Sequence, residues 1–191
     1  SKSDCEIILH LYKKIGFKET IKALDGVFAC VLVDLNNNTL YAARDRIGVR
    51  SMYFGENNNF NNYGFSSELK SLHTLFKNIE QFPPGKIWDS ETKNFQTYFE
   101  PSMYIPKTLG KEKNTDLDPI LYNIKHLFEK AVKKRLMSDR NIGCLLSGGF
   151  DSSIVAAILS KQIFPKKLNT FSIGLYGSPD LKYAKIVSDH I

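Results

Sequence analysis

Hydrophobic and polar positions divide the 191 residues into two stretches of different periodicity. In the first, Ile7, Ile8, Leu11, Tyr12 and Ile15 recur at helical spacing behind Ser3-Asp4-Cys5-Glu6, an S-x-x-E capping box, and predict a helix from Asp4 to Ile15. Gly16 stops it, and Glu19 to Leu24 reads as a further helical turn before Gly26. Val27 to Val33 is β-branched and nearly all apolar, the pattern of a strand covered on both faces. Asparagine tolerates positive φ, so Asn36-Asn37-Asn38 turns the chain and Leu40 to Ala43 returns as the partner strand. A second hairpin joins Met52-Tyr53-Phe54 to Tyr63-Gly64-Phe65-Ser66 across the polar Asn57 to Asn62 loop. Ser67 is placed to cap a helix through Leu69, Leu72, Leu75 and Phe76. Pro83-Pro84-Gly85 forces a turn, and Ile87-Trp88 with Phe95 to Phe99 makes a last short hairpin.

From Pro101 to Asp118 the apolar periodicity disappears among Pro, Lys, Thr, Gly and Asn, the composition of a linker. Beyond it Ile120, Ile124, Leu127, Phe128, Ala131 and Leu136 form one stripe of a helix, and Ile142 to Leu146 begins an alternation of strand and helix. The reading is an α+β domain over 1–100, a linker over 101–117, and the start of a parallel-sheet α/β domain over 118–191. Ser1 in place of Met, and Ile191 inside a helical run, read as cut ends, so the lack of a leader says nothing about compartment.

Composition narrows the class. With 42% hydrophobic and 24% charged residues the chain fits an ordinary soluble globular protein and not a disordered, collagenous or membrane one. The net charge of +6 is spread over amphipathic segments, which reads as a solvated Lys-rich surface and not as a nucleic-acid footprint. Cys5, Cys30 and Cys144 are odd in number and far apart, so they imply no disulfide framework or metal site; buried reduced thiols in a cytoplasmic setting are the expectation.

The chemistry gathers at Leu145-Leu146-Ser147-Gly148-Gly149-Phe150-Asp151-Ser152-Ser153, between an apolar strand and the helix Ile154 to Ile163. Glycines let the backbone bend and approach an anion, while the free N–H groups of the helix start, its dipole and the hydroxyls can hold phosphate. Asp151 beside a polyphosphate would be repelled unless a divalent cation lay between them, which points to Mg²⁺. The G-K-[ST] ending of a Walker loop is absent, so a site holding a departing pyrophosphate fits better than one that transfers the terminal phosphoryl group. The competing reading is a Gly-rich strand-to-helix turn capped by Asp and Ser.

This block resembles the phosphate loop of the PP-loop ATP pyrophosphatases. The strand Phe171-Ser172-Ile173-Gly174-Leu175, with Ser178-Pro179-Asp180-Leu181-Lys182-Tyr183-Ala184 opening the next helix, is similar to the segment that follows it in the asparagine synthetases. The resemblance implies ATP binding by Leu145, Ser147, Gly148, Gly149, Asp151, Ser152, Ser153, Ile173 and Gly174, with Leu145 and Ile173 on the adenine and Asp151 reaching Mg²⁺ through pyrophosphate. The first hundred residues look like the class II glutamine amidotransferase domain, an Ntn-hydrolase-type fold, of the same enzymes. Ser3-Asp4-Cys5-Glu6, Asp25-Gly26-Val27-Phe28-Ala29, Arg44-Asp45-Arg46-Ile47-Gly48, Tyr53-Phe54-Gly55, Ser66 to Leu72 and Phe82-Pro83-Pro84-Gly85 stand in the family order.

By that resemblance Asp4 would bind the α-amino group of glutamine, as a carboxylate at a helix start can. Arg44, Asp45, Glu68 and Lys70 are charged residues beside apolar strands, for which interface ion pairs and a catalytic role stand equally open, and none is assigned as catalytic. No catalytic residue is assigned: the family's amino-terminal cysteine nucleophile does not begin this chain, and Cys5 lies inside the capping box without a free amine. Ser51 stands where the family usually has proline, and Phe150 where it has Leu or Val. The implied reaction is glutamine-dependent asparagine synthesis from aspartate and ATP, in the cytoplasm, without a nucleic-acid or membrane partner, and in a homodimer. A β-lactam-synthetase-like ligase of the same plan and a noncatalytic fragment remain open as alternatives.

Overall fold

Gly16 takes φ 75° and ψ 169°, a conformation closed to other residues, so the first helix, α1 (Glu6–Ala23), is two helical segments meeting at a kink. The computed structural model describes residues 3–57, 62–101 and 117–191. The described residues up to Pro101 form one compact unit and those from Leu117 a second. Most of the expected linker, and of the Asn57 to Asn62 loop, lies outside the described residues.

The first unit holds α1 and the strands β1 (Ala29–Asp34), β2 (Thr39–Arg44), β3 (Tyr53–Asn57), β4 (Asn62–Ser66), β5 (Asn78–Gln81), β6 (Lys86–Asp89) and β7 (Phe95–Thr97). They make an antiparallel sheet in the order β1-β2-β6-β7 and another in the order β4-β3-β5. Alternation along β2 and β6 builds two cores. Ala43 and Ile87 pack with Leu32 against Phe17 and Ile21 of α1, while Ala42 and Trp88 on the opposite face pack with Met52, Phe54 and Phe82.

Three expectations change here, and one strand appears that was not expected. Strand β1 lies at the sheet edge, so only Leu32 is buried while Val31 and Val33 are exposed; the apolar run does not mean cover on both faces. The helix expected after Ser67 is a 3₁₀ turn at Leu69–Ser71, because Leu72 and Phe76 are drawn onto the β3–β4 hairpin. There Gly55 and Gly64 pair directly across the strands and leave a slot for the Phe76 ring. The polar segment Asn78–Gln81, with a single apolar residue, becomes β5 by pairing with β3. The N-cap of α1 is Cys5 without a side-chain cap bond, and Ser3 Oγ accepts from the Cys5 N–H at 3.3 Å, so the helix starts two residues later than the capping box implies.

Arg44 and Asp45 are buried, and neither belongs to an ion pair among the described residues, which corrects the interface reading. The Arg44 guanidinium donates to the carbonyls of Gly48, Arg50 and Phe82, each at 2.7 Å. The Asp45 carboxylate accepts from the N–H groups of Ile47, Val49 and Arg50 at 3.0–3.2 Å. Each charge is thus solvated by backbone, and together they fold the 45–50 loop. Burial pushes the Asp45 carboxyl up, but the backbone donors from Arg50, Val49, Ile47 and Gly48 outweigh it and hold it below the ordinary range. Lys70 does pair with Glu68, at the surface.

The second unit runs α2 (Asp118–Lys134), β8 (Gly143–Leu145), α3 (Phe150–Ile163), β9 (Asn169–Phe171) and α4 (Pro179–His190). Strands β8 and β9 are parallel, Gly143 opposite Asn169 and Leu145 opposite Phe171, the pairing expected of a strand–helix–strand crossover. Its core is Val132, Cys144, Leu146, Ala156, Leu159 and Ala184. The stripe predicted on α2 is largely exposed: Ile120, Ile124, Leu127 and Phe128 face outward, and Val132 anchors the helix instead. Among the described residues no helix is long and apolar enough to cross a membrane. Cys5 is exposed and not buried; all three cysteines are free.

Candidate functional site

The 146–153 segment leaves the carboxyl end of β8 and enters α3. Leu146 is locked in place: its N–H donates to the Phe171 carbonyl at 2.8 Å, and its carbonyl accepts from Ser172 Oγ at 2.6 Å. Gly148 then takes φ +80° and Gly149 serves as the N-cap of α3 with φ −73° and ψ 166°. No side chain caps this helix, so the N–H groups of Phe150, Asp151 and Ser152 in its first turn have no intrahelical acceptor. Ser147, Gly149, Phe150 and Asp151 are exposed, which leaves those donors open to a ligand.

Hydroxyls line the same turn. Ser147 Oγ lies 2.9 Å from Ser152 Oγ and accepts from the Gly149 N–H at 3.3 Å. Ser152 and Ser153 each donate from Oγ to the Gly149 carbonyl, at 3.1 and 2.7 Å, the back-bonding usual for serine in a first turn. A rotation about χ1 redirects either hydroxyl toward an anion without moving the backbone. Asp151 sits in the same turn, where the helix dipole favours its charge.

The two glycines differ in a way the sequence does not show. A Cβ on Gly149 would meet only Ser147 Oγ at 3.4 Å, so the open side of the loop is at Gly149. A Cβ on Gly148 would fall 2.4 Å from the Ala184 nitrogen and 2.8 Å from the Asp180 oxygen, inside the backbone of α4. The side of Gly148 where a Cβ would stand is thus closed by protein.

Leu145 is 81% exposed and Ile173 98% exposed, unusual for apolar residues at the ends of parallel strands. Leu145 lines an open apolar hollow of about 610 Å³ with Phe128, Val132, Val155 and Leu159. Ile173 lies two residues beyond Phe171, the partner of Leu145 in the register, and past the end of β9. Gly174 follows, against Leu181 of α4. Sequence reasoning missed Ser172, whose hydroxyl ties the two strands; nothing in an isolated Ser within an apolar run signals such a bond.

Asp4 is exposed just ahead of α1, with Oδ1 3.7 Å from Cys5 Sγ. It belongs to the first unit, whereas every residue of the phosphate loop belongs to the second. Among the described residues no three His, Cys, Asp or Glu side chains gather as a metal-binding group. A Mg²⁺ here would therefore rest on Asp151 together with phosphate oxygens and water, a coordination this cation commonly takes.

Comparison with known proteins agrees with both halves. The family described as glutamine amidotransferase domain matches residues 1–74, and that described as asparagine synthase matches residues 123–191. Asparagine synthetase [glutamine-hydrolyzing] of Triphysaria versicolor is 41% identical over 200 residues, covering 99% of this chain and 32% of the relative. Asparagine synthetase [glutamine-hydrolyzing] 1 of Lotus japonicus is 41% identical over 197 residues, with the same coverage. The probable asparagine synthetase of Acanthamoeba polyphaga mimivirus is 39% identical over 202 residues, covering 98% of this chain and 37% of the relative. The chain thus spans about a third of the length of the curated relatives it matches. The chain is thus related over nearly its whole length to the glutamine-hydrolysing asparagine synthetases, matching a glutamine amidotransferase domain family in its first part and an asparagine synthase family in its second.

Proposed function

We propose that the protein to which this chain belongs makes asparagine from aspartate, ATP and glutamine in the cytoplasm, and that residues 146–153 hold the pyrophosphate end of ATP. One observation supports this most directly: the N-terminus of α3 is exposed, lacks a side-chain cap, and carries Ser147, Asp151, Ser152 and Ser153 on one turn. Donors held on a rigid helix start are positioned for charge that builds on a leaving pyrophosphate, where electrostatic stabilisation lowers a barrier. In this reading Leu145 and Ile173 offer apolar contact to the base, with the Gly174 backbone following Ile173. The β-carboxylate of aspartate attacks the α-phosphorus, pyrophosphate leaves, and ammonia displaces AMP from the acyl-adenylate. Mg²⁺ held by Asp151 and the phosphates would supply charge neutralisation on the leaving group.

The first unit fits the later part of an Ntn-hydrolase-type glutaminase domain, with two facing antiparallel sheets and α1 on the outer face of one of them. In this reading Asp4, at a helix start, holds the ammonium group of glutamine.

Isothermal titration of the 191-residue chain with Mg-ATP tests the loop. Binding is expected for the parent, with loss of about tenfold or more in affinity for Asp151→Asn and a matching loss for the parent in excess EDTA. A flat titration of the parent would remove the loop as an ATP site in this chain. The acceptor is tested on the full-length protein by pyrophosphate release with aspartate against other carboxylic acids. Release that ignores aspartate would point to another ligase of the same plan.

A further inference from the structure

Both arms of the proposed nucleotide site touch α4 through a glycine. On the phosphate side, Gly148 lies so close to this helix that a Cβ would sit 2.4 Å from the Ala184 nitrogen, 2.8 Å from the Asp180 oxygen and 2.8 Å from the Tyr183 carbonyl carbon. These are backbone atoms, which cannot move aside as a flexible side chain would. On the base side, a Cβ on Gly174 would sit 3.1 Å from Leu181 Cγ and 3.4 Å from both its methyl carbons. Ala184, the residue nearest to Gly148 in the helix and one turn after Leu181, is 2% exposed and part of the core. The helix start is itself fixed, with Pro179 at its first position and Ser178 Oγ accepting from the Asp180 N–H at 3.3 Å.

We infer that α4 is the spacer that sets the distance between the phosphate loop and the adenine-side segment Ile173–Gly174, with Leu181 and Gly148 as positioning residues. The inference rests on the nucleotide reading above for its functional half and on contact geometry alone for its structural half. Neither Leu181 nor the body of α4 needs to touch ATP. The phosphate loop leans on the helix backbone, Gly174 leans on the Leu181 side chain, and the helix transmits the position of one to the other. A bare Cα at 148 is required by this packing, and the bare Cα at 149 is the one left facing the ligand side.

Two comparisons on the full chain test this. The first uses hydrogen exchange of the α4 amides without nucleotide. Gly148→Ala is compared with Gly177→Ala, since Gly177 has φ +81° but nothing within 4 Å of its Cβ and so carries the backbone strain without the clash. Gly148→Ala is expected to cost α4 on the order of tenfold more protection than Gly177→Ala, the scale of overpacking a closed contact. Equal losses would overturn the packing role.

The second comparison uses Mg-ATP affinity. Leu181→Ala is expected to weaken binding by about tenfold and Leu181→Met to restore it to within about threefold, by the usual range of coupling through packed side chains. Leu168→Ala, packed against the same core but not against either glycine, is expected to lower stability and leave affinity unchanged. If Leu168→Ala and Leu181→Ala weaken binding alike, the spacer role is wrong and the effect is loss of fold. If the parent chain binds no Mg-ATP, the nucleotide reading falls and the spacer with it, while the exchange comparison still decides the packing.

Discussion

Replacing Arg44 with Met removes a guanidinium that bridges three backbone carbonyls in the first unit, and the size of the effect can be worked from their surroundings. Its bonds to Gly48, Arg50 and Phe82 are each 2.7 Å, short enough for charge-assisted donors. The contact with Phe82 is buried, whereas the other two are part-buried and can be partly taken over by water. An orphaned buried carbonyl costs about 1–3 kcal/mol, and the two wetter ones about 0.5–1 kcal/mol each. Met keeps the volume and lifts the cost of burying a charge, so a net loss of about 3 kcal/mol is expected. With a urea m-value of about 1–2 kcal/mol/M for a unit of this size, the midpoint falls by about 1.5–3 M. Trp88 is the sole tryptophan and is 1% exposed in the core beside Phe54 and Phe82, so its fluorescence reports this unit alone. Arg44→Lys should fall between, since an ammonium cannot reach three carbonyls with the planar fork. A midpoint for Arg44→Met within about 0.3 M of the parent would refute the claim that this side chain holds the 45–50 loop.

Acid stability offers a second check. The folded Asp45 carboxyl lies below its unfolded value of about 3.9, so its contribution is fully present above that pH and is lost as pH falls through the folded value. Urea midpoints of the parent should therefore drop below about pH 4, and Asp45→Asn should be less stable at neutral pH with a flatter acid limb; an unchanged limb would count against the amide cage. At the alkaline end, burial pushes the Tyr98 hydroxyl, which donates to the Arg44 carbonyl at 2.9 Å, up to about 12, and the hydrogen bond to Asp34 pushes Tyr12 higher still. Ultraviolet titration should show a late-ionising class that shrinks in Tyr98→Phe; the stability tied to Tyr98 is present below about pH 10 and lost as pH rises through 12. In the β3–β4 hairpin, a Cβ on Gly64 would fall 2.4 Å from the Phe76 ring. Gly64→Ala should cost about 1–3 kcal/mol alone and much less in a Phe76→Ala background, a non-additivity that a thermal-melt double-mutant cycle would detect.

The elements that local chemistry dictates were legible in the residues. Asn38 adopts φ 52° in the turn where a run of asparagines foretold it, and Ser178 caps α4. The strand-to-helix turn at Ser147 to Ser153 was equally plain, since a Gly-Gly pair between two apolar runs leaves few other structures open. The failures have a common cause. An apolar run says that a segment prefers cover, not whether cover exists: Val31 and Val33 of β1 and the Ile120–Phe128 stripe of α2 are apolar and exposed. Polar Asn78–Gln81 shows the reverse, a strand made by the free hydrogen-bonding edge of β3 and not by its own side chains.

Sequence by itself thus determined which bonds can be made within a few residues: the turns, the cap of α4, the glycine break in α1 and the glycine turn that leads into α3. These depend on φ, ψ and side-chain donors that neighbouring residues share. Tertiary structure alone decided that Arg44 and Asp45 are solvated separately by backbone and not by each other, and that Gly148 serves a helix 36 positions from it at Ala184. Such contacts join segments far apart in the chain, and no local preference encodes the distance between them.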